Sequence, residues 1–164
     1  MTLSPPKRTA PSAQPSCIAV FHWPVRVYWE DTDAGGIVYY ANYLKFFERG
    51  RTEWLRSLGL AQSELAARAG LVFVVAEVNL RYAAPAKLDD VLQIQLRVSD
   101  IGTASLSVMQ QAWRCDAQGA ADQLLCEATV RVGCVSAAAL RPARIPKHVH
   151  ERVVQWAAAD VSAA

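Results

Sequence analysis

Asp31-Thr-Asp33-Ala-Gly35-Gly36-Ile-Val-Tyr39-Tyr40-Ala-Asn42-Tyr43 is the stretch on which the reading of this chain turns. Before it, Val25, Val27 and Trp29 alternate with Arg26, Tyr28 and Glu30, which is the period of a strand. After it, Tyr43, Phe47, Gly50, Trp54 and Leu58 recur at spacings of 4, 3, 4 and 4. With Leu44, Arg51 and Leu55 beside them, they form the broad apolar face of a helix. Two carboxylates and two glycines therefore sit where a strand hands over to a helix N-terminus. A helix start offers unpaired backbone N–H groups and a partial positive charge. Those are the groups that stabilise a developing oxyanion. An acid and an anion hole in one turn make a candidate active site.

The rest of the chain supplies what that helix must pack against. Gly59 ends it, and a shorter helix from Gln62 to Ala69 ends at Gly70 in the same way. Leu71 to Tyr82 is a β-branched run closed by Pro85. Leu92, Ile94, Leu96 and Val98 alternate with Gln93, Gln95, Arg97 and Ser99. Gly102 turns the chain into Ser105 to Cys115, and Asp116 to Gly119 turns it again into Gln123 to Ser136. These lengths suit antiparallel neighbours joined by hairpins. Pro146 opens a terminal helix from Lys147 to about Ala157. A helix apolar over a wide face needs a sheet to cover it. The expected fold is α+β, a curved five-stranded antiparallel sheet wrapped around a long central helix. Strands this long leave a sheet edge to be paired, which predicts a dimer.

Composition bounds the function. At 164 residues and 52% hydrophobic, the chain is one domain with a real core. A net charge of +2 with no long basic run argues against nucleic acid as a partner. No apolar stretch approaches the roughly 18 residues of a membrane span. Residues 1–20, rich in proline and lacking an apolar core segment, read as a disordered tail rather than a signal peptide. The domain then runs over 21–140, with a C-terminal extension carrying a short helix over 141–164. The four cysteines, Cys17, Cys115, Cys126 and Cys134, form no C-x-x-C pair and have no histidine at zinc spacing. Cys126 and Cys134 share a strand face with Leu124, Ala128, Val130 and Val132 and read as buried thiols. No metal is expected, and the compartment implied is the cytosol.

The order of elements and the segment Tyr28 to Tyr43 resemble the hotdog-fold thioesterases of the 4-hydroxybenzoyl-CoA type. Within these, the chain is most similar to the Tol–Pal-associated acyl-CoA thioesterases. Supporting segments are Phe46-Phe-Glu48-Arg49-Gly-Arg51-Thr52-Glu53, Tyr82-Ala-Ala-Pro85-Ala-Lys87-Leu-Asp89-Asp90 and Cys134-Val-Ser. The resemblance covers about Trp23 to Val153. It implies a hotdog fold, a homodimer doubled to a homotetramer, and hydrolysis of acyl-CoA or acyl carrier protein thioesters with no cofactor, coenzyme A being part of the substrate. It puts the catalytic carboxylate on Asp33 and the carbonyl-polarising N–H on Tyr40. Close relatives commonly carry Tyr where this chain has Trp29 and His where it has Tyr40.

The residues are suited to that chemistry. A thioester expels a thiol of pKa about 8.5, so it needs little help from a general acid. One carboxylate must attack the carbonyl to give a mixed anhydride, or deprotonate a water; the residues leave both routes open. Gly35 and Gly36 permit a reversal and a close approach of substrate to backbone. Asp31 reads as a turn or helix cap. Trp29, Gly36, Val38 and Tyr43 are candidate walls of the acyl slot, and Phe47 and Trp54 read as core. Arg81, Lys87 and Arg97 are candidate cations for the coenzyme A phosphates. Glu48, Arg49, Arg51 and Glu53 read as ion-paired or solvated.

Rival readings lack parts. A hotdog dehydratase needs a histidine, and His22, His148 and His150 all lie outside the turn and central helix. G-x-S-x-G is absent. An aspartyl phosphatase would need a buried hydrophobic strand before Asp31. Calcium ligation would put Asn42 where the loop needs a bidentate glutamate. The alternative from another class is a non-catalytic acyl-carrier or envelope-complex partner that keeps the pocket without the hydrolysis.

Overall fold

The computed structural model describes residues 19–159. The proposed tail and Cys17 lie, apart from residues 19 and 20, outside the described residues. Strand β1 (Phe21–Arg26) is followed by helix α1 (Asn42–Ser57) and helix α2 (Gln62–Ala69). Four strands come next: β2 (Leu71–Tyr82), β3 (Val91–Ile101), β4 (Ser105–Cys115) and β5 (Ala121–Ser136). Helix α3 (Lys147–Ala158) ends the described chain. The five strands form one antiparallel sheet in the order β1-β3-β4-β5-β2. The long helix lies on its concave face, so the chain has the expected hotdog architecture.

Three local readings differ in the structure. The alternation over Val25 to Glu30 does not continue as a strand: β1 stops at Arg26, and Trp29–Asp31 forms a single 3-10 turn. Asp31 causes this, because its carboxylate accepts the Tyr28 N–H at 3.0 Å and pulls the chain round. On α1, Phe46 rather than Leu44 belongs to the inner face; Phe46 is buried and Leu44 exposed. Likewise a register shift in β5 puts Leu125 rather than Leu124 in the core.

Alternate residues of β3, β4 and β5 meet α1: Leu92, Ile94 and Leu96; Val108 and Ala112; Cys126, Ala128 and Val130. Burial pushes the Cys126 thiol up to about 12, with Glu127 adding to it, so this sulfur is core rather than nucleophile. Gln110, fully buried on β4, ties sheet to helix. Its Nε2 donates to the Phe47 carbonyl at 2.9 Å, and its Oε1 accepts from Arg51 at 2.7 Å. Arg51 is thus a half-buried brace and not a solvated charge. Trp156 of α3 meets Trp54 of α1 edge-on at 5.4 Å. Arg152 donates to the Leu58 and Gly59 carbonyls at the end of α1.

Gly50 marks the closest approach of α1 to the sheet. A Cβ there would stand 2.9 Å from Ile94 Cγ2 and 3.4 Å from Gln110 Nε2. Gly50→Val is expected to lose about 1–3 kcal/mol of stability through overpacking, read as a lower urea midpoint with an unchanged m-value.

Candidate active site

The turn between β1 and α1 is built by backbone hydrogen bonds that the two aspartates organise differently. Asp31 is buried, 4% exposed. Besides holding Tyr28, it offers its carbonyl to the Tyr39 N–H at 2.8 Å and to Asn42 Nδ2 at 3.0 Å. It pins both ends of the turn and has the capping role read from its position. Asp33 is exposed. Its N–H donates to the Ile37 carbonyl and its carbonyl accepts the Gly36 N–H, both at 3.0 Å. Its carboxylate accepts one backbone bond, from the Gly35 N–H at 2.8 Å.

The glycines explain that geometry. Gly36 has φ of +71°, in the left-handed region where a side chain is strained. A Cβ on Gly35 would stand 3.0 Å from Asp33 Oδ1, which would push against the carboxylate where it now folds over the turn. The returning arm is anchored on the loop between β2 and β3. Val38 donates to the Ala86 carbonyl at 2.9 Å, and Ile37 bridges to Lys87. Tyr43 reinforces this anchor, its hydroxyl accepting the Ala86 N–H at 3.0 Å. Burial holds the Tyr43 phenol above its ordinary range, while the Ala86 bond works against that shift.

Helix α1 begins two residues later than Tyr40, at Asn42, with Ala41 as its N-cap. Alanine offers no capping oxygen, and no side chain caps this end. The Asn42 N–H turns back to the Tyr39 carbonyl at 2.8 Å. Among the described residues, the N–H groups of Tyr40 and Ala41 find no acceptor. These are the orphan donors a helix start leaves.

A cleft of about 340 Å³ opens beside them, walled by Ile37, Val38, Tyr40 and Tyr43 on one side and by Tyr82 to Pro85 on the other. Its lining is mainly apolar and aromatic. Tyr40 meets Tyr82 edge-on at 6.4 Å, and Tyr43 meets Tyr82 at 5.7 Å. A second cleft, of about 310 Å³, lies at the far end of α1 between α2 and α3, away from the Asp33 turn.

Of the candidate site residues, Val38, Tyr40 and Tyr43 line this cleft; Asp33 and Gly36 lie on the turn that leads into it and are not among its lining residues, and Lys87 is on the adjoining loop. Trp29 projects outward at 78% exposure and does not line the cleft. Arg81 is committed to Glu127 across the strands at 2.7 Å. Arg97 points out from the convex face of β3, opposite Met109, on the other side of the sheet from α1. Of the three candidate cations, only Lys87 adjoins the turn. Two residues were missed. Tyr82 joins the wall of the cleft from the end of β2. Arg114 braces its far side, donating to the Pro85 carbonyl at 2.6 Å and pairing with Asp90 at 3.0 Å. The sequence signal for Tyr82 was its place three residues before Pro85; Arg114 lies 24 residues from Asp90 and 29 from Pro85, and the sequence carried no signal for it.

Comparison with known proteins agrees with this fold. Residues 27–153 match the sequence profile of the Thioesterase-like superfamily. Acyl-CoA thioesterase YbgC of Haemophilus influenzae is 44% identical over 129 residues, covering 79% of this chain and 90% of that protein. Among solved structures, a probable thioesterase from Bartonella henselae is 33% identical, with a TM-score of 0.66, over 78% of this chain and 99% of that one. A 4-hydroxybenzoyl CoA thioesterase complexed with 4-hydroxybenzoyl CoA shares the fold, with a TM-score of 0.76 at 21% identity, over 82% and 99% of the two chains. A curved sheet around one helix is therefore no isolated arrangement: this chain belongs to the Thioesterase-like superfamily.

Proposed function

We infer that this chain is an acyl-CoA thioesterase, hydrolysing an acyl-CoA to a free carboxylic acid and coenzyme A. The observation that carries the site assignment is the contrast within one turn. The Asp31 carboxylate is buried and spent on the backbone, while the Asp33 carboxylate is exposed on the turn that leads into a helix start, where the Tyr40 and Ala41 amides are unclaimed among the described residues. In this reading the thioester lies in the cleft with its carbonyl oxygen toward the Tyr40 N–H. Asp33 attacks the carbonyl carbon, expelling coenzyme A thiolate and leaving an anhydride that water opens, or it takes the proton of an attacking water. Both routes end in the same acid and thiol. Val38 and Tyr43 wall the acyl group, Gly36 lets it approach the turn, and Lys87 meets the phosphates. The chemistry calls for no cofactor beyond the coenzyme A that arrives with the substrate. An acyl carrier protein offers the same phosphopantetheine thioester and is the alternative acyl donor.

The assembly in this reading is a homodimer through the free edge of β2, with doubling to a tetramer and any Tol–Pal connection resting on the resemblance alone. Cys115, Cys126 and Cys134 are unpaired thiols, and with a coenzyme A substrate they fit a reducing cytoplasm. Among the described residues no helix is long and apolar enough to cross a membrane. The test is release of free thiol by the purified protein from short-chain, long-chain and aromatic acyl-CoAs. Turnover is expected on at least one of them. Binding of acyl-CoA without thiol release would instead favour a non-catalytic carrier.

A further inference from the structure

We propose that Tyr82 is a positioning residue for the hydrolysis, its hydroxyl fixing and polarising the peptide group between Tyr40 and Ala41 so that the Ala41 N–H acts as a second oxyanion donor. The proposal rests on the hydrolytic reading above. Tyr82 ends β2, and its hydroxyl donates to the Tyr40 carbonyl oxygen at 2.9 Å, across 42 residues of sequence. An amide is conjugated, so a donor on its oxygen draws charge toward that oxygen and makes the N–H at its other end a stronger donor. That N–H belongs to Ala41, and it has no acceptor among the described residues.

The preceding peptide is arranged alike. The Tyr39 carbonyl accepts the Asn42 N–H at 2.8 Å, and the N–H at the other end of that peptide is the equally unclaimed Tyr40 amide. Two successive free amides thus each carry a hydrogen bond on the carbonyl of their own peptide. One of these is supplied by backbone, the other by a side chain reaching across the cleft. Burial, then the neighbouring Cys126 and Tyr40, hold the Tyr82 phenol above its ordinary value, so it stays protonated and donating at neutral pH.

A bland reading makes Tyr82 only a wall, since its ring also packs edge-on against Tyr40 and Tyr43. Tyr82→Phe separates the two, because it keeps the ring and removes the donor. Losing a direct oxyanion donor costs about 10²–10³ in kcat. Acting one bond further away, Tyr82→Phe is expected to lower kcat about 5- to 20-fold with KM within about twofold, the pattern of an interaction made only in the transition state. A second readout needs no turnover. With acyl-CoA bound to Asp33→Asn protein, the thioester carbonyl infrared band is expected at lower frequency than in solution. Adding Tyr82→Phe should move it part of the way back. An unchanged kcat and band, or a raised KM with kcat unchanged, would overturn the role proposed for Tyr82. If that occurs while Asp33→Asn still lowers turnover at least about a hundredfold, the hydrolytic reading survives; if Asp33→Asn has no effect either, both fall.

Discussion

Asp33→Asn is expected to lower kcat at least about a hundredfold while leaving the melting temperature within about a degree. A positioned general base contributes about 10²–10⁴ in rate. The substitution removes the base and the nucleophile alike, so the expectation holds for either route. Asparagine keeps an oxygen that can accept the Gly35 N–H, so the turn should survive. The side chain is exposed, which leaves little packing to lose. Residual activity should remain, because the orphan amides at the start of α1 still polarise the carbonyl. Asp31→Asn is the control, with the opposite pattern. Its carboxylate is buried and holds the Tyr28 N–H, so stability should fall by about 1 kcal/mol while activity per folded molecule changes little. Thiol-release kinetics and thermal denaturation of the two variants check both halves. Full activity in the Asp33 variant would remove the mechanism.

Val78→Glu is expected to separate the proposed homodimer into monomers and, with it, to cost most of the activity. β2 is 12 residues long, about 40 Å of strand, and lies at the edge of the sheet with pairing only to β5. Its inner-face residues Val75 and Val78, set opposite Val132 and Val130, are 51% and 39% exposed although those partners are buried. α1 covers the middle of the sheet and leaves this margin bare. Such an edge is a template for a second strand, and a second copy of β2 running antiparallel would satisfy it symmetrically. A charge buried there costs about 3 kcal/mol, and the symmetry makes it count twice. The dissociation constant should rise about 10⁴-fold. Sedimentation velocity at micromolar concentration reads the change, and the activity of the unsubstituted protein should fall on dilution in the same way. A variant that sediments as a fully active monomer would show that the site is complete within one chain.

The legibility of the fold in the sequence differs from element to element. The helix over Asn42–Ser57 and the strands from Leu71 onward announced themselves, because their periods of 3.6 and 2 are written into neighbouring residues. The alternation at Val25 to Glu30 misled. The backbone after Arg26 is claimed by other partners, Val27 exchanging bonds with Asp89 and Asp90, and Tyr28 bonding the Asp31 carboxylate. Trp29 projects outward for that reason. Charge was legible as charge but not as position. Arg81, Lys87 and Arg97 look alike in the chain, whereas pairing with Glu127, the bridge to Ile37 and the convex face of β3 separate them.

By itself, then, the chain's order of residues determined the kinds of element, their succession, and the turn that carries two aspartates into a helix start. Those features depend on hydrogen bonds and steric preferences spanning a few residues, and such short-range terms can be read in order. The tertiary structure alone decided that Arg51 braces the core through Gln110 and that Tyr82 reaches the Tyr40 carbonyl. Each of these is fixed by the packing of segments that the fold brings together around the turn. Their energies exist only once the sheet has closed around α1.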